Sequence, residues 1–384
     1  MPRLLGCLGV AILLLASDGG LLAAETRVPS TRAFRRSSSD WYKITGTNPS
    51  NNAGRLPHYD NSQVEEIAAS LLVYQNADGG WPKNLDMCIK LTDEQAAKVA
   101  ENRGMYPSTF DNGATHGQLR YLAAAQQIAD RDDFRQAFLR GLDFTLDAQY
   151  DNGGWPQIPG SRGYSRHITF NDNAMVGVMQ VLQAIITNQP EYDFLPTELR
   201  ERCADAYRRG LECTLACQIE VDGRKTAWCQ QHHYQTLEPV DARVFEKPSL
   251  CSGESAGIVK LLMDDPEPTP EITAAVDGAV EWFRDTELHG IRVERRRIEP
   301  VRYKYHTARS DKFVVEDADA PSLWARFYEL DTFRPIFCGR DGVVRYSLAE
   351  IDQERRTGYA WYVRSPESVL RVYDRWKDRS PAPR

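Results

Sequence analysis

The chain has 384 residues, 42% of them hydrophobic, and a formal net charge of −7. That length and apolar content suffice for a sizeable core in one or two domains and exclude a disordered polymer. The acidic balance gives no global electrostatic reason to bind nucleic acid or an anionic membrane, although the basic cluster Arg292, Arg295, Arg296, Arg297, Arg302 and Lys304 can still hold anions.

An apolar run from Leu4 to Ala16 follows Arg3, and small residues stand near Ala23 and Ala24. Residues 1–24 therefore read as a signal peptide, and the expected location is secreted or periplasmic, with no stable membrane insertion after its removal. Of the eight cysteines Cys7 leaves with the signal; the odd remainder implies no disulfide framework, while a single bridge such as Cys229 to Cys251 stays open. Residues 25–60, rich in Ser, Arg, Asn and Pro, are expected to form an irregular leader, and 61–384 a single domain.

From Ser62, a plausible cap, the apolar positions Val64, Ile67, Ala68, Leu71 and Leu72 follow helical spacing. Thr92 and Gln95 make a capping box for a short helix to about Asn102. Helical patterns then cover 116–129, 134–149, 173–187, 197–217, 254–263 and, beyond the proline-rich 264–270, residues 271–286. Alternation within 291–294 and 301–305 predicts short strands in a β-rich or irregular stretch of about 287–364, where 324–330 fits either a helical turn or a strand. Ser365-Pro366-Glu367 opens a last helix through Trp376.

One motif recurs along this series. Gln75 to Asn84 contains Gly79-Gly80-Trp81-Pro82, Gln149 to Gln157 contains Gly153-Gly154-Trp155-Pro156, and a weaker copy runs from Gln218 to Trp228; each is entered through Leu-x-x-Gln. Each is followed by a polar cluster, at 109–115, 169–175 and 249–255. The unit is helix, Gly/Trp loop, polar cluster, helix. Three such hairpins bury their apolar faces most simply in a mainly α architecture, an (α/α)3 toroid of three helical hairpins with an additional β-rich segment. The loops would then ring a groove at one end.

Asp111-Asn112 and Asn171-Asp172-Asn173 occupy the same place in successive units, so a toroid brings them towards one groove. Carboxylate and amide oxygens without His or Cys suit a hard cation such as Ca2+, held jointly with an anionic substrate. The alternative is that these side chains only cap the helices after them. Arg243, between the third loop and the third cluster, is either functional or ion-paired with Glu246 or Asp241. Trp81 and Trp155 either line the groove or pack the loop. His232, His233 and the serines 249, 252 and 255 lack the spacing or context of a metalloprotease or serine hydrolase.

Together these stretches resemble the family 10 polysaccharide lyases, secreted bacterial pectate lyases. The resemblance covers about 64–376 and rests on 78–84, 109–115, 152–157, 167–175, 228–232, Ala242-Arg243 and 252–255. It implies Ca2+-dependent anti β-elimination in polygalacturonate, with Asp111 and Asp172 as calcium-linked carboxylates, Asn112 as a substrate contact and Arg243 as base. Arg326, Arg334 and Arg340 are expected on uronate carboxylates. Lys83 and Asn84, singular to the first loop, are expected to touch substrate, as is Asn173. The protein is expected to act as a monomer. A guanidinium keeps its proton to a pKa above about 12, so such a base needs strong perturbation or alkaline conditions. The competing readings are a toroidal glycoside hydrolase using Asp111 and Asp172 on an acidic polysaccharide, and a non-catalytic pectin-binding protein.

Overall fold

The structure, a computed structural model, describes residues 28–49, 56–304 and 307–379; the expected signal peptide lies outside them. Its helices are α1 (Ser38–Ile44), α2 (Val64–Tyr74), α3 (Asp93–Glu101), α4 (His116–Ala129), α5 (Asp132–Asp147), α6 (Ala174–Ile186), α7 (Thr197–Ala216), α8 (Ser252–Met263), α9 (Pro270–Asp285), α10 (Gln353–Thr357) and α11 (Ser365–Lys377). The helix-rich expectation therefore holds. Helices α4, α6 and α8 pack side by side, and each also packs on the helix that follows it, α5, α7 or α9. They bury residues all round, as Met175, Val176, Val178, Met179, Val181 and Leu182 of α6 do, whereas α5 and α7 bury one stripe and charge the other face.

The leader differs from expectation. It holds α1, and Phe34 and Trp41 are fully buried. Phe34 packs edge-on to Tyr121 of α4, centroids 5.2 Å apart, and its carbonyl accepts from Met87 N at 2.9 Å. Two isolated apolar anchors are too few to register as periodicity, yet each buries a large side chain. At α2 the cap position is Gln63, not Ser62, and it makes no side-chain capping bond. At α3 the capping box forms as read.

The repeated Leu-x-x-Gln is a cross-brace. Gln75 Nε2 donates to Gly79 O at 2.7 Å and to Ala137 O of α5 at 2.8 Å. Gln149 does the same to Gly153 O (2.9 Å) and Ala206 O (2.8 Å), and Gln218 to Thr226 O (2.9 Å) and Ala275 O (2.8 Å). One amide thus ties its own loop to the next outer helix in all three units. The loop lies so close that a Cβ on Gly153, at φ +88°, would run into the Arg209 carbonyl. Gln149→Leu strands the Gly153 carbonyl and removes the tie to α7, and is expected to cost about 1–3 kcal/mol, read as a lowered denaturant midpoint with unchanged slope.

Trp81, Trp155 and Trp228 are fully buried and donate Nε1 to Leu71 O (2.9 Å), Thr145 O (2.8 Å) and Thr214 O (2.7 Å) near the ends of α2, α5 and α7. They pack the loops and do not line the groove. A fourth, Trp324, donates to Phe283 O of α9 at 2.8 Å. The pattern therefore recurs once more, from α9 through Trp324 to α11, which packs on α8. An antiparallel hairpin, Ile291–Arg302 with Thr307–Glu316, is inserted before it. The expected short strands are thus one long ribbon. At 324–330 the chain forms two-residue strands, Trp324–Ala325 paired with Tyr362–Val363 and Phe327–Tyr328 with Leu250–Cys251. These hold Arg326 between them over a second apolar cluster that includes Phe245, Phe327, Phe337 and Trp361. All seven described cysteines are free and buried.

Candidate active site

Each polar cluster is sewn to the loops around it. Thr109 N donates to Trp81 O and Thr169 N to Trp155 O, both at 3.1 Å, while Phe110 N reaches Gln157 O (3.0 Å) and Phe170 N reaches Gln230 O (2.9 Å). After each Phe the chain makes a single 3₁₀ turn with two left-handed residues, Asn112 (φ 55°) and Gly113 (φ 87°), then Asp172 (φ 52°) and Asn173 (φ 58°). Asn, Asp and Gly are the residues that tolerate this conformation. The match sets Asp111 opposite Asn171 and Asn112 opposite Asp172, one position apart from a direct carboxylate-to-carboxylate equivalence. Neither cluster caps its helix by a side chain: Thr115 and Asn173 hold the cap positions of α4 and α6 without a capping bond. The four polar side chains are thereby released from a purely local role.

Asp111 is buried. Its Oδ2 is ion-paired with Lys83, while Oδ1 is buried with no hydrogen-bond partner among the described residues. Asn84 Oδ1 accepts from Asn112 Nδ2 at 3.1 Å, so the first Gly/Trp loop delivers Lys83 and Asn84 to Asp111 and Asn112. Asp172 opens onto a cleft but stands deep among surrounding atoms; that crowding, then the Asp111 charge, pushes its carboxyl up to about 6 against the pull of Arg326 and Arg243. Because its surface meets cleft water, the proximity of Asp111 is the part of this shift with chemical weight. Asn173 Oδ1 lies against α8, where a Cβ on Gly257 would stand 3.0 Å from it.

Across from the acids, Arg326 Nη2 donates to Asn171 Oδ1 at 2.7 Å and its Nε to Glu254 Oε1 at 3.1 Å. Burial opposes its charge, but Glu254 outweighs burial and holds its pKa above the ordinary arginine value. Arg326→Ala would leave Glu254 charged, buried and alone. A loss of about 3–5 kcal/mol in chemical denaturation is expected, which a side chain serving only as a substrate contact would not give.

Arg243 is half-exposed and clamped by Glu246. Its Nε donates to Glu246 Oε2 at 2.7 Å, its Nη2 to Oε1, and its backbone N to Oε2 at 3.1 Å; Tyr359 Oη donates to Glu246 Oε1 at 2.7 Å. Burial alone would lower the guanidinium pKa, yet the Glu246 bonds and charge raise it above the usual value. Of the two ion pairs the sequence allowed, Glu246 is the one formed; Asp241 lies 3.7 Å from Lys247 instead.

Arg340 forks onto Glu354 at 2.7 and 2.8 Å. Arg334 stacks over Tyr346, 3.5 Å from its centroid, and no hydrogen bond joins it to the acids or to Arg243 among the described residues. Arg355 carried no signal in the sequence. Its guanidinium lies 4.5 Å over Phe245, its buried Nε has no partner among the described residues, and burial, with Arg340 and Arg243 near, lowers its pKa against the pull of Glu354. A charged five-residue helix gives no pattern that marks one arginine from its neighbour.

His232 is no base. Buried and pushed down to about 4 by that burial, it bonds Leu237 O through Nδ1 (2.7 Å) and accepts Cys229 N at Nε2 (3.1 Å). Ser255 accepts Trp228 N at 2.9 Å and Ser252 donates to Ala325 O at 2.6 Å, so both are structural ties.

The end loops of a helical scaffold here set paired acids opposite clamped arginines. The family model described as pectic acid lyase matches residues 75–370, and the chain belongs to that family. Among solved structures it is similar to a family 10 polysaccharide lyase from Cellvibrio cellulosa, with 28% identity over 90% of this chain and 99% of that one and a TM-score of 0.70. A point mutant of that family 10 lyase from the same organism, in complex with trigalacturonic acid, matches at 30% identity over 81% of this chain and 92% of that one, with a TM-score of 0.68. Comparison with curated protein sequences gave no match.

Proposed function

We propose that this protein is an exported pectate lyase, an (α/α)3 toroid that cleaves de-esterified polygalacturonate by Ca2+-dependent anti β-elimination with Arg243 as base. The observation that carries the reading is the acid pair: Asp172 with a raised pKa beside Asp111, whose Oδ1 is buried and unbonded among the described residues. A carboxylate whose charge its acidic neighbour disfavours, beside a spare carboxylate oxygen, suits a hard cation. No group of three or more His, Cys, Asp or Glu is gathered as a metal site among the described residues, so a cation at this pair would need further oxygens from substrate or water. Asp111 and Asp172 would hold it. When bound, Ca2+ supplies positive charge at the uronate carboxylate and so acidifies the adjacent C–H.

The chain's own residues do the rest. Arg326, Arg340 and Arg355 present guanidinium groups to uronate carboxylates, which they match bidentately. Asn112, Asn173, Lys83 and Asn84 orient the sugar. Arg243 receives the proton from C5 at a guanidinium nitrogen, and to do so it must first be neutral, against the pull of Glu246. That requirement predicts an alkaline optimum. No helix among the described residues is long and apolar enough to cross a membrane.

The test is to supply the purified protein with polygalacturonate, with Ca2+ and then with chelator, from neutral to alkaline pH. The expected result is an ultraviolet-absorbing unsaturated uronide that chelator abolishes. Saturated reducing ends alone would instead establish the hydrolase reading, and turnover indifferent to chelator would remove the calcium requirement.

A further inference from the structure

The amino-terminal strap does more than cover the toroid. Ala33 lies so close to the start of α4 that a Cβ on Gly117 would collide with it, and one on Gly113 would come within 3.1 Å. With Phe34 buried and Arg35 bridged to Asp86, the backbone here has one place to go. That placement brings Arg32 and Arg36 to a cleft of about 550 Å³ whose walls also include Asn112, Arg120, Asp172 and Asn173. The cleft therefore reaches Asp172 of the acid pair, and its volume is that of a small-ligand site, roughly 300–1,000 Å³.

Its charge is unbalanced. Arg120, largely buried, donates to His116 Nδ1 (3.1 Å), Gly177 O (2.7 Å) and Gln180 Oε1 (3.1 Å), with no carboxylate partner among the described residues. His116 does not neutralise it, because it accepts from Arg120 and is held uncharged by burial and by that same arginine. Arg36 spends Nη2 on the Asn112 carbonyl at 2.7 Å and Nε on the Ala33 carbonyl at 3.4 Å, which fixes the side chain and leaves Nη1 without a partner among the described residues. The Arg32 side chain has no hydrogen bond or ion pair among the described residues. The carboxylate on this wall is Asp172, which faces Arg326 and Arg243 across the site. Three guanidinium groups, one of them buried without a counter-charge, lack an anion.

We infer that the strap residues Arg32 and Arg36, with Arg120, form an additional subsite for the carboxylate of one uronate residue, beyond those held at Asp111, Asp172 and Arg326. The inference rests on the pectate-lyase reading and deepens it: the leader sets how many sugars the groove grips. Arginine suits such a place better than lysine, because its planar fork matches a carboxylate.

The experiment compares the parent with Arg32→Glu, and separately with Arg36→Gln, on tri- and hexagalacturonate. Affinity is measured by calorimetry in chelator, and kcat/KM with Ca2+. Reversal at Arg32 is expected to weaken hexamer binding about three- to tenfold, less at high salt, while trimer binding and trimer turnover hold. Equal losses on both lengths, no change on either, or no binding of the hexamer by the parent would overturn the subsite. A parent that binds the hexamer more tightly than the trimer, loses that advantage in the variant and yet makes no unsaturated product would uphold the subsite and sink the lyase chemistry instead.

Discussion

Arg243→Lys is expected to lower kcat on polygalacturonate by about 10²–10⁴-fold while uncleaved oligogalacturonates bind nearly as before. Lysine keeps a positive charge at the rim but loses the fork on Glu246, whose carboxylate is 1% exposed on its side chain. Near-normal turnover would take the base role away from Arg243. The sharper test is Glu246→Gln, which removes the charge that raises the Arg243 pKa but keeps hydrogen-bonding groups for it and for Tyr359. A general base works deprotonated, so the rate climbs as pH rises through its pKa. Lowering that pKa moves the rising limb towards neutral pH, and the variant gains relative activity there. If Arg243 acts instead as a fixed cation, the limb stays where it is and kcat falls at every pH. The direction of the shift, read from kcat against pH, separates the two roles.

What was legible in the sequence follows from how each feature is encoded. Helices α4 to α9 declare themselves because each must present apolar residues at helical spacing to its neighbours, and the Gln and Trp of each loop recur because each unit solves the same bracing problem. The fourth Trp anchor was invisible because the ribbon of 291–316 separates Trp324 from α9, so that the spacing of the motif is lost while its hydrogen bond to Phe283 O survives. The acids at 111 and 172 could be found as a repeated motif, but their one-position offset needs the backbone, since only the left-handed residues reveal which positions match. The leader and Arg355 escaped for the opposite reason. Their partners are remote in the chain, at Tyr121, Met87 and Phe245, and no local pattern encodes such contacts.

Asp172→Asn is expected to move stability and function in opposite directions. Crowding and the Asp111 charge push the native carboxyl up to about 6, above the usual value of 3.8. Between those pH values the folded state binds more protons than the unfolded one, so stability falls as pH rises through the window and the cost is full above pH 6. Asparagine carries no charge and does not pay it. At pH 7.5 the metal-free variant is therefore expected to melt slightly higher than the parent, by no more than about 1 kcal/mol in stability because cleft water screens the site. The parent should overtake it on adding Ca2+, since a cation bound only to the folded state stabilises by mass action and the variant has lost a ligand. Turnover is expected to fall by about 10²–10³-fold, the usual scale for losing one group that stabilises developing charge. A variant no more stable than the parent without metal would mean that Asp111 and Asp172 do not repel each other enough to want a cation. Undiminished Ca2+ stabilisation in the variant would place the metal elsewhere. The two measurements bear on one idea, that this end of the helical scaffold holds an unfavourable pair of negative charges because the reaction needs what they attract.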